Sequence, residues 1–156
     1  MKRLVTTMAL TTLLAAPAAL AADPGFVSAE GEYVWNPKTS HYPQGAYTTS
    51  QTMSIKHDDG KTISVSQDVH LTNGQTIDWK YEGAYDGKPH HGDWITIALT
   101  RIKPNAFLNE YVMSDGTKGR EIATIDAKHV TIRGNTFDAK GAKGPGYVEV
   151  WDKVSK

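Results

Sequence analysis

Two histidines stand side by side in the stretch "GAYDGKPHHGDW", residues 83–94. His90 and His91 have Asp86 and Asp93 close by, and His57 and Asp58 lie in an earlier polar segment. Imidazoles and carboxylates are ligands for a divalent metal such as zinc, which needs several of them converging at roughly 2.0–2.2 Å. Adjacent strand residues point to opposite faces, so His90 and His91 could share an ion only from a loop. Two strand-like runs separate the segments near 57–60 and 86–93, which would set both on one rim of a barrel. His57, His90, His91 and Asp93 therefore form one candidate metal site. The competing reading is a solvated turn, because Asp-Gly, Lys-Pro and His-Gly are turn-forming pairs.

A second set of candidates is polar residues in apolar phase. Gln67 interrupts the face formed by Ile63, Val65, Val69 and Leu71. Arg101 follows Ile95, Ile97 and Leu99 in the same phase, and Asn109 lies between Phe107 and Tyr111. An inward guanidinium is costly unless an anion or hydrogen-bond acceptor meets it. In a ligand-holding barrel that partner is the carboxylate head of an amphipathic molecule, with Gln67 as a further anchor and Trp79, Tyr81 and Tyr111 as the wall. Alternatively, Arg101 ends its strand beside Pro104 and reaches solvent. Aromatic side chains at these positions also serve as plain core packing.

Signals for catalysis are poor. The chain has no Gly-x-Ser-x-Gly, phosphate loop or HExxH. It has no cysteine, which removes thiol catalysis, thiolate metal sites and disulfides. Asp68 and His70 share a strand face with serines, a pattern too generic for a triad. Most carboxylates are expected on polar faces or in turns, and no pair of buried ones stands out. The chain reads as no enzyme, with no cofactor.

The elements that would position these residues are strands. After the first twenty or so residues, short alternating runs are punctuated by Gly, Asn, Asp and Pro. In residues 62–71, Ile63, Val65, Val69 and Leu71 oppose Ser64, Ser66, Asp68 and His70. In 76–85, Ile77, Trp79 and Tyr81 oppose Asp78, Lys80 and Glu82. Between them lies Asn73-Gly74, a hairpin signal. Further strands are expected at 32–35, 46–57, 94–103, 107–114, 119–126, 129–138 and 146–154. A weak echo at an offset of 67 residues aligns Asp59, Lys61, Ile63, Val65 and Gly74 with Asp126, Lys128, Val130, Ile132 and Gly141. Short joins make sequence neighbours sheet neighbours. Such a meander with one buried face closes most simply into an up-and-down antiparallel barrel of eight to nine strands.

The beginning of the chain, "MKRLVTTMALTTLLAAPAALAAD", has a positive start, a short apolar and threonine-rich run, and Ala19-Leu20-Ala21 as a cleavage signature. It is read as a secretory signal peptide over residues 1–21, cleaved after Ala21 or Ala22, which leaves one domain over 22–156. The run is too short for a lasting membrane anchor. The protein is expected to be exported, periplasmic or secreted. With 17 basic and 17 acidic residues and no basic stripe, nucleic acid is not an expected partner.

The segment "EYVWNPKTSHYP" resembles the start of a group of uncharacterised small exported bacterial proteins, with Tyr33 where the group has Trp, then Asn36, Ser40, Tyr42 and Pro43. "TIDWKYEGAYDGKPHHG" and "IALTRIKPN" are similar to the group's middle strands, and "YVEVWDKV" to its closing strand. Thr39 departs from a usual Lys. The resemblance implies a lipocalin-like barrel and carries over no substrate or catalytic residue.

Three functions compete on this basis. The leading one is non-catalytic binding of a small apolar or amphipathic molecule inside the barrel. The second is metal handling by the loop histidines. The third is a protein-binding or inhibitor module with a filled core.

Overall fold

The computed structural model describes residues 25–41 and 48–155. The leader, Tyr42 and Pro43 lie outside these residues. Ten antiparallel strands form one sheet: β1 Gly31–Trp35, β2 Thr48–Asp58, β3 Thr62–Leu71, β4 Thr76–Ala84, β5 His90–His91, β6 Ile95–Lys103, β7 Ala106–Met113, β8 Lys118–Ile125, β9 His129–Phe137 and β10 Lys143–Ser155. The strand order is β4-β3-β2-β1-β10-β9-β8-β7-β6-β5. All joins except one are between sequence neighbours. The exception, β1 on β10, brings the two ends of the described chain together and rolls the sheet into an up-and-down barrel.

The expected barrel is thus present with one strand more than counted. The extra strand is β5, the two histidines themselves. His90 pairs with Ile97 and His91 with Thr96, so the segment read as turn is partly a short edge strand. β4 and β5 are the sheet's two edges, joined by residues 85–89. An Asp86–Thr100 bridge and a Gly87 N–H donated to Leu99 C=O at 2.8 Å tie that connection to β6. The barrel is therefore nearly closed, with a seam at β4.

Alternation sets the interior. Tyr33, Met53, Ile55, Ile63, Tyr81, Ile97, Leu99, Ala123, Ile125, Val130 and Trp151 are buried, and their strand neighbours mostly face out. Residues 25–30 cross one end of the barrel. Val27 donates to Pro104 C=O at 3.0 Å, and Ser28 and Ala29 bond the backbone and side chain of Asp58. The residues behind the resemblance serve the closure. Asn36 donates to Asp152 at 2.8 Å, and Ser40 Oγ accepts the Val150 N–H at 2.9 Å, which fixes the exit of β1 against β10.

Three hairpin turns share one design. Leu71–Gln75, Met113–Thr117 and Asp138–Ala142 each carry two turn hydrogen bonds, with Gly74, Gly116 or Gly141 at φ of 81–85°. Asn73 does not have positive φ, so the Asn-Gly turn is a type I turn closed by a left-handed glycine and not the two-residue mirror-image turn. The turn at 113–117 has no place in the 67-residue echo yet has the same bonds, so the echo reflects shared hairpin chemistry.

Candidate ligand-binding cavity

The end crossed by residues 25–30 is sealed by a buried ion pair. Arg101 Nη2 donates to Asp58 Oδ1 at 2.8 Å, and the Asp58 side chain is fully buried. Asp58 also accepts the Ala29 N–H at 2.8 Å, the Gly60 N–H at 3.2 Å and the Tyr85 hydroxyl at 3.3 Å. The guanidinium carbon lies 4.1 Å from the Tyr85 ring centre, 5.0 Å from Phe26 and 5.8 Å from Phe107. One carboxylate and three ring faces thus meet the inward cation, while its Nε and Nη1 are buried without a hydrogen-bond partner. The Arg101 side chain keeps 15% of its surface exposed and is held by Asp58. Its partner is a residue of its own chain, and it does not line the cavity described next.

Asp58 escaped the sequence reading because of a β-bulge. The register of β2 on β3 shifts between Ile55 and His57. One extra residue reverses the phase, which sends Asp58 inward and His57 outward.

Above this seal, toward the end bearing the 71–76, 91–95 and 113–118 turns, the barrel holds a cavity of about 230 Å³. Gln67, Trp79, Tyr81 and Tyr111 line it, as do Trp94 and Trp151. Gln67 is engaged on both sides: its Oε1 accepts the Trp79 indole N–H at 2.7 Å, and its Nε2 donates to Gln51 at 2.6 Å. It holds the wall in place through side chains and keeps a second Nε2 N–H. Tyr111 lies flat over Gly119, where a Cβ would come within 2.0 Å of the ring. Tyr147 likewise occupies the space above Gly134.

Two carboxyls on this wall were missed at the sequence level, Glu121 and Glu149. Glu121 accepts from Asn109 Nδ2 at 2.9 Å and from the Tyr147 hydroxyl. Glu149 accepts the Trp151 indole N–H at 3.2 Å. Burial raises both above the ordinary carboxyl range, against the opposing pull of these donors; Glu149 is pushed up to about 7. Burial and the nearby Glu121 charge push the Tyr111 hydroxyl to about 12, so it stays a neutral hydroxyl. The expectation that carboxylates lie on wet faces and in turns therefore fails at Glu121, Glu149 and Asp58. Their signal was positional: Glu121 is in phase with Ala123 and Ile125, and Glu149 with Tyr147 and Trp151.

The histidines do not converge. His57 faces Glu30 and Asp59, at 3.8 and 3.6 Å. His90 lies 3.5 Å from Asp86 and edge-on to Tyr81, with ring centres 6.1 Å apart across the seam. His91 meets Thr96 on the outer face at 3.0 Å. Among the described residues no three His, Asp or Glu side chains come together to hold a metal ion, and Asp93 joins none of these contacts. Strand alternation is the reason: once residues 90–91 pair with β6, their side chains must part.

No protein-family model matches the sequence, and no curated protein matches it. The solved structures it resembles are barrels. The wild-type fluorescent protein UnaG superposes with a TM-score of 0.53 at 12% identity, covering 80% of this chain and 96% of that one. The REP1-NXSQ fatty acid transporter gives 0.50 at 15% identity, over 80% of this chain and 95% of its own. A redesigned β-barrel gives 0.50 at 13% identity, over 81% and 91%. At these identities the likeness establishes the fold.

Proposed function

We propose that the protein is an exported, non-catalytic barrel that holds a small, partly apolar molecule in its interior. The observation that carries this reading is the cavity of about 230 Å³, walled mainly by aliphatic and aromatic side chains with a few polar groups among them. A core packed solid by its Trp and Tyr residues, as a purely surface-acting module would have, leaves no such space. An engineered cavity of about 150 Å³ accepts benzene, so this one suits a ligand of on the order of ten non-hydrogen atoms. Two further points support the reading. One fold neighbour is named as a fatty acid transporter, and the first residues have the pattern of a secretory leader.

Native mass spectrometry of untagged protein from the extracytoplasmic fraction tests it. A reproducible added organic mass, lost in Ala123→Leu, is the expected result, because Ala123 is 1% exposed and lines the cavity. Bare protein mass, together with no uptake of any small aromatic compound by the purified protein, would overturn it.

A further inference from the structure

The charges around the cavity specify more than its volume does. Of the side chains lining it, two are carboxyls and, among the described residues, none is Lys, Arg or His. Among the described residues the inward arginine nearby gives its Nη2 to Asp58 and does not line the cavity. The other polar groups on the wall include both donors and acceptors, and the Tyr81 hydroxyl, which can do either, is buried without a hydrogen-bond partner. Asn109 spends its Nδ2 on Glu121, which fixes its amide orientation and leaves Oδ1 buried without a hydrogen-bond partner. Gln67 gives one of its two Nε2 N–H groups to Gln51. The rest of the wall includes the aromatic rings of Trp79, Tyr81, Tyr111 and Trp151, whose faces attract cations.

An anionic head group has no counter-charge here and would meet two carboxyls. A carboxylate in an apolar surround must either take a proton or find a cation. Resting on the binding reading above, we infer that the ligand is an amphipathic amine: an aromatic or short aliphatic body with an ammonium group held by Glu149 and Glu121. The ammonium N–H groups would also satisfy Asn109 Oδ1. The body would lie against Ile97, Leu99 and Phe107 on the cavity wall. The fold is shared with a fatty acid transporter, yet this interior has the opposite preference in head-group charge.

Three near-isosteric probes separate the possibilities: phenethylamine, phenethyl alcohol and phenylacetate. Each would be titrated into the purified protein at pH 8, with calorimetry and tryptophan fluorescence as readouts, since Trp79, Trp94 and Trp151 line the cavity. The amine is expected to bind at least about tenfold more tightly than the alcohol, and the acid most weakly. Glu149→Gln and, separately, Glu121→Gln should each remove most of the amine's advantage over the alcohol. If the alcohol or the acid binds as well as the amine, the inference fails and the binding barrel stands. If none of the three binds, both fail.

Discussion

Replacing Glu149 with Gln makes a quantitative test of the barrel's internal electrostatics. The Glu149 carboxyl is pushed from 4.5 to about 7, with burial as the first cause and the Trp151 N–H pulling the other way. In the unfolded chain the group ionises near its ordinary value. Below that value both states hold the proton and no penalty exists. As pH rises from 4.5 towards 7 the unfolded chain gives up its proton and the folded one keeps it, so folding stability falls. Above about 7 the loss is complete. The displacement corresponds to at most about 3 kcal/mol. Because part of the residue's surface remains accessible, that figure is an upper bound.

Gln cannot ionise, so the Glu149→Gln protein should lack this loss. Urea unfolding followed by tryptophan fluorescence at pH 4, 5, 6, 7 and 8 measures it. The variant and the parent should be closest at pH 4 and diverge by up to about 3 kcal/mol at pH 8, the variant being the more stable. With an m-value of about 1.5 kcal/mol/M this is a difference of about 2 M in urea midpoint. Asp59, Asp86, Asp115 and Asp126 are lowered by backbone N–H bonds and give the opposite pH slope. They are present in both proteins and cancel in the difference. Stability curves that run parallel from pH 4 to 8 would refute the argument that Glu149 is held in a medium hostile to its charge.

The remaining predictions concern geometry. Arg101→Met or Asp58→Asn alone should cost about 3–5 kcal/mol by thermal unfolding, since each strands or unpairs a buried charge; the double variant Arg101→Met/Asp58→Asn should cost less than the sum of the two, a non-additivity the double-mutant cycle reads directly. Gly119→Ala should cost about 1–3 kcal/mol and weaken ligand uptake, because its methyl would occupy the space of the Tyr111 ring. Ala123→Leu should lose uptake with no comparable fall in thermal midpoint, since it fills existing space. Zinc offered to the protein should bind no more tightly than to His90→Ala/His91→Ala, as read by calorimetry, because the two rings face apart.

The strands were legible because one face is wet. Residues 62–71 and 76–84 alternate so regularly that type, limits and inward side follow from the sequence alone. Legibility ended wherever the phase was broken or the face was ambiguous. The bulge before His57 reversed the end of β2, hiding the partner of Arg101 and turning His57 away from the interior. On β8 the outward residue between Glu121 and Ala123 is Ile122, 46% exposed, and on β10 Val148 and Val150 flank Glu149. There the apolar residues are the outward ones, so judging faces by residue type put the glutamates on the wrong side. The histidine segment failed differently. Its two-residue strand is set by pairing with β6, a contact that a local turn signal does not contain.

The placement of charge also bears on what a shared fold can imply. A barrel of this kind supplies a dry interior and a ring of inward positions, and specificity depends on which few of those positions are polar. Among the described residues the one arginine turned inward with the core is paired at the sealed end, 2.8 Å from Asp58 and under three aromatic rings. The acids that remain face the cavity from β8 and β10. Placing an arginine at a cavity-facing position in exchange for the acids would favour an anion on the same backbone. On the proposed amine reading, the interior's charge preference depends on the inward Asp58 that holds Arg101 as much as on any residue of the cavity wall. Deleting Lys56 should make the β2–β3 ladder regular while leaving Asp58 opposite Ile63 and paired with Arg101, so the interior's preference for amines over acids should survive, as the three-probe titration reads.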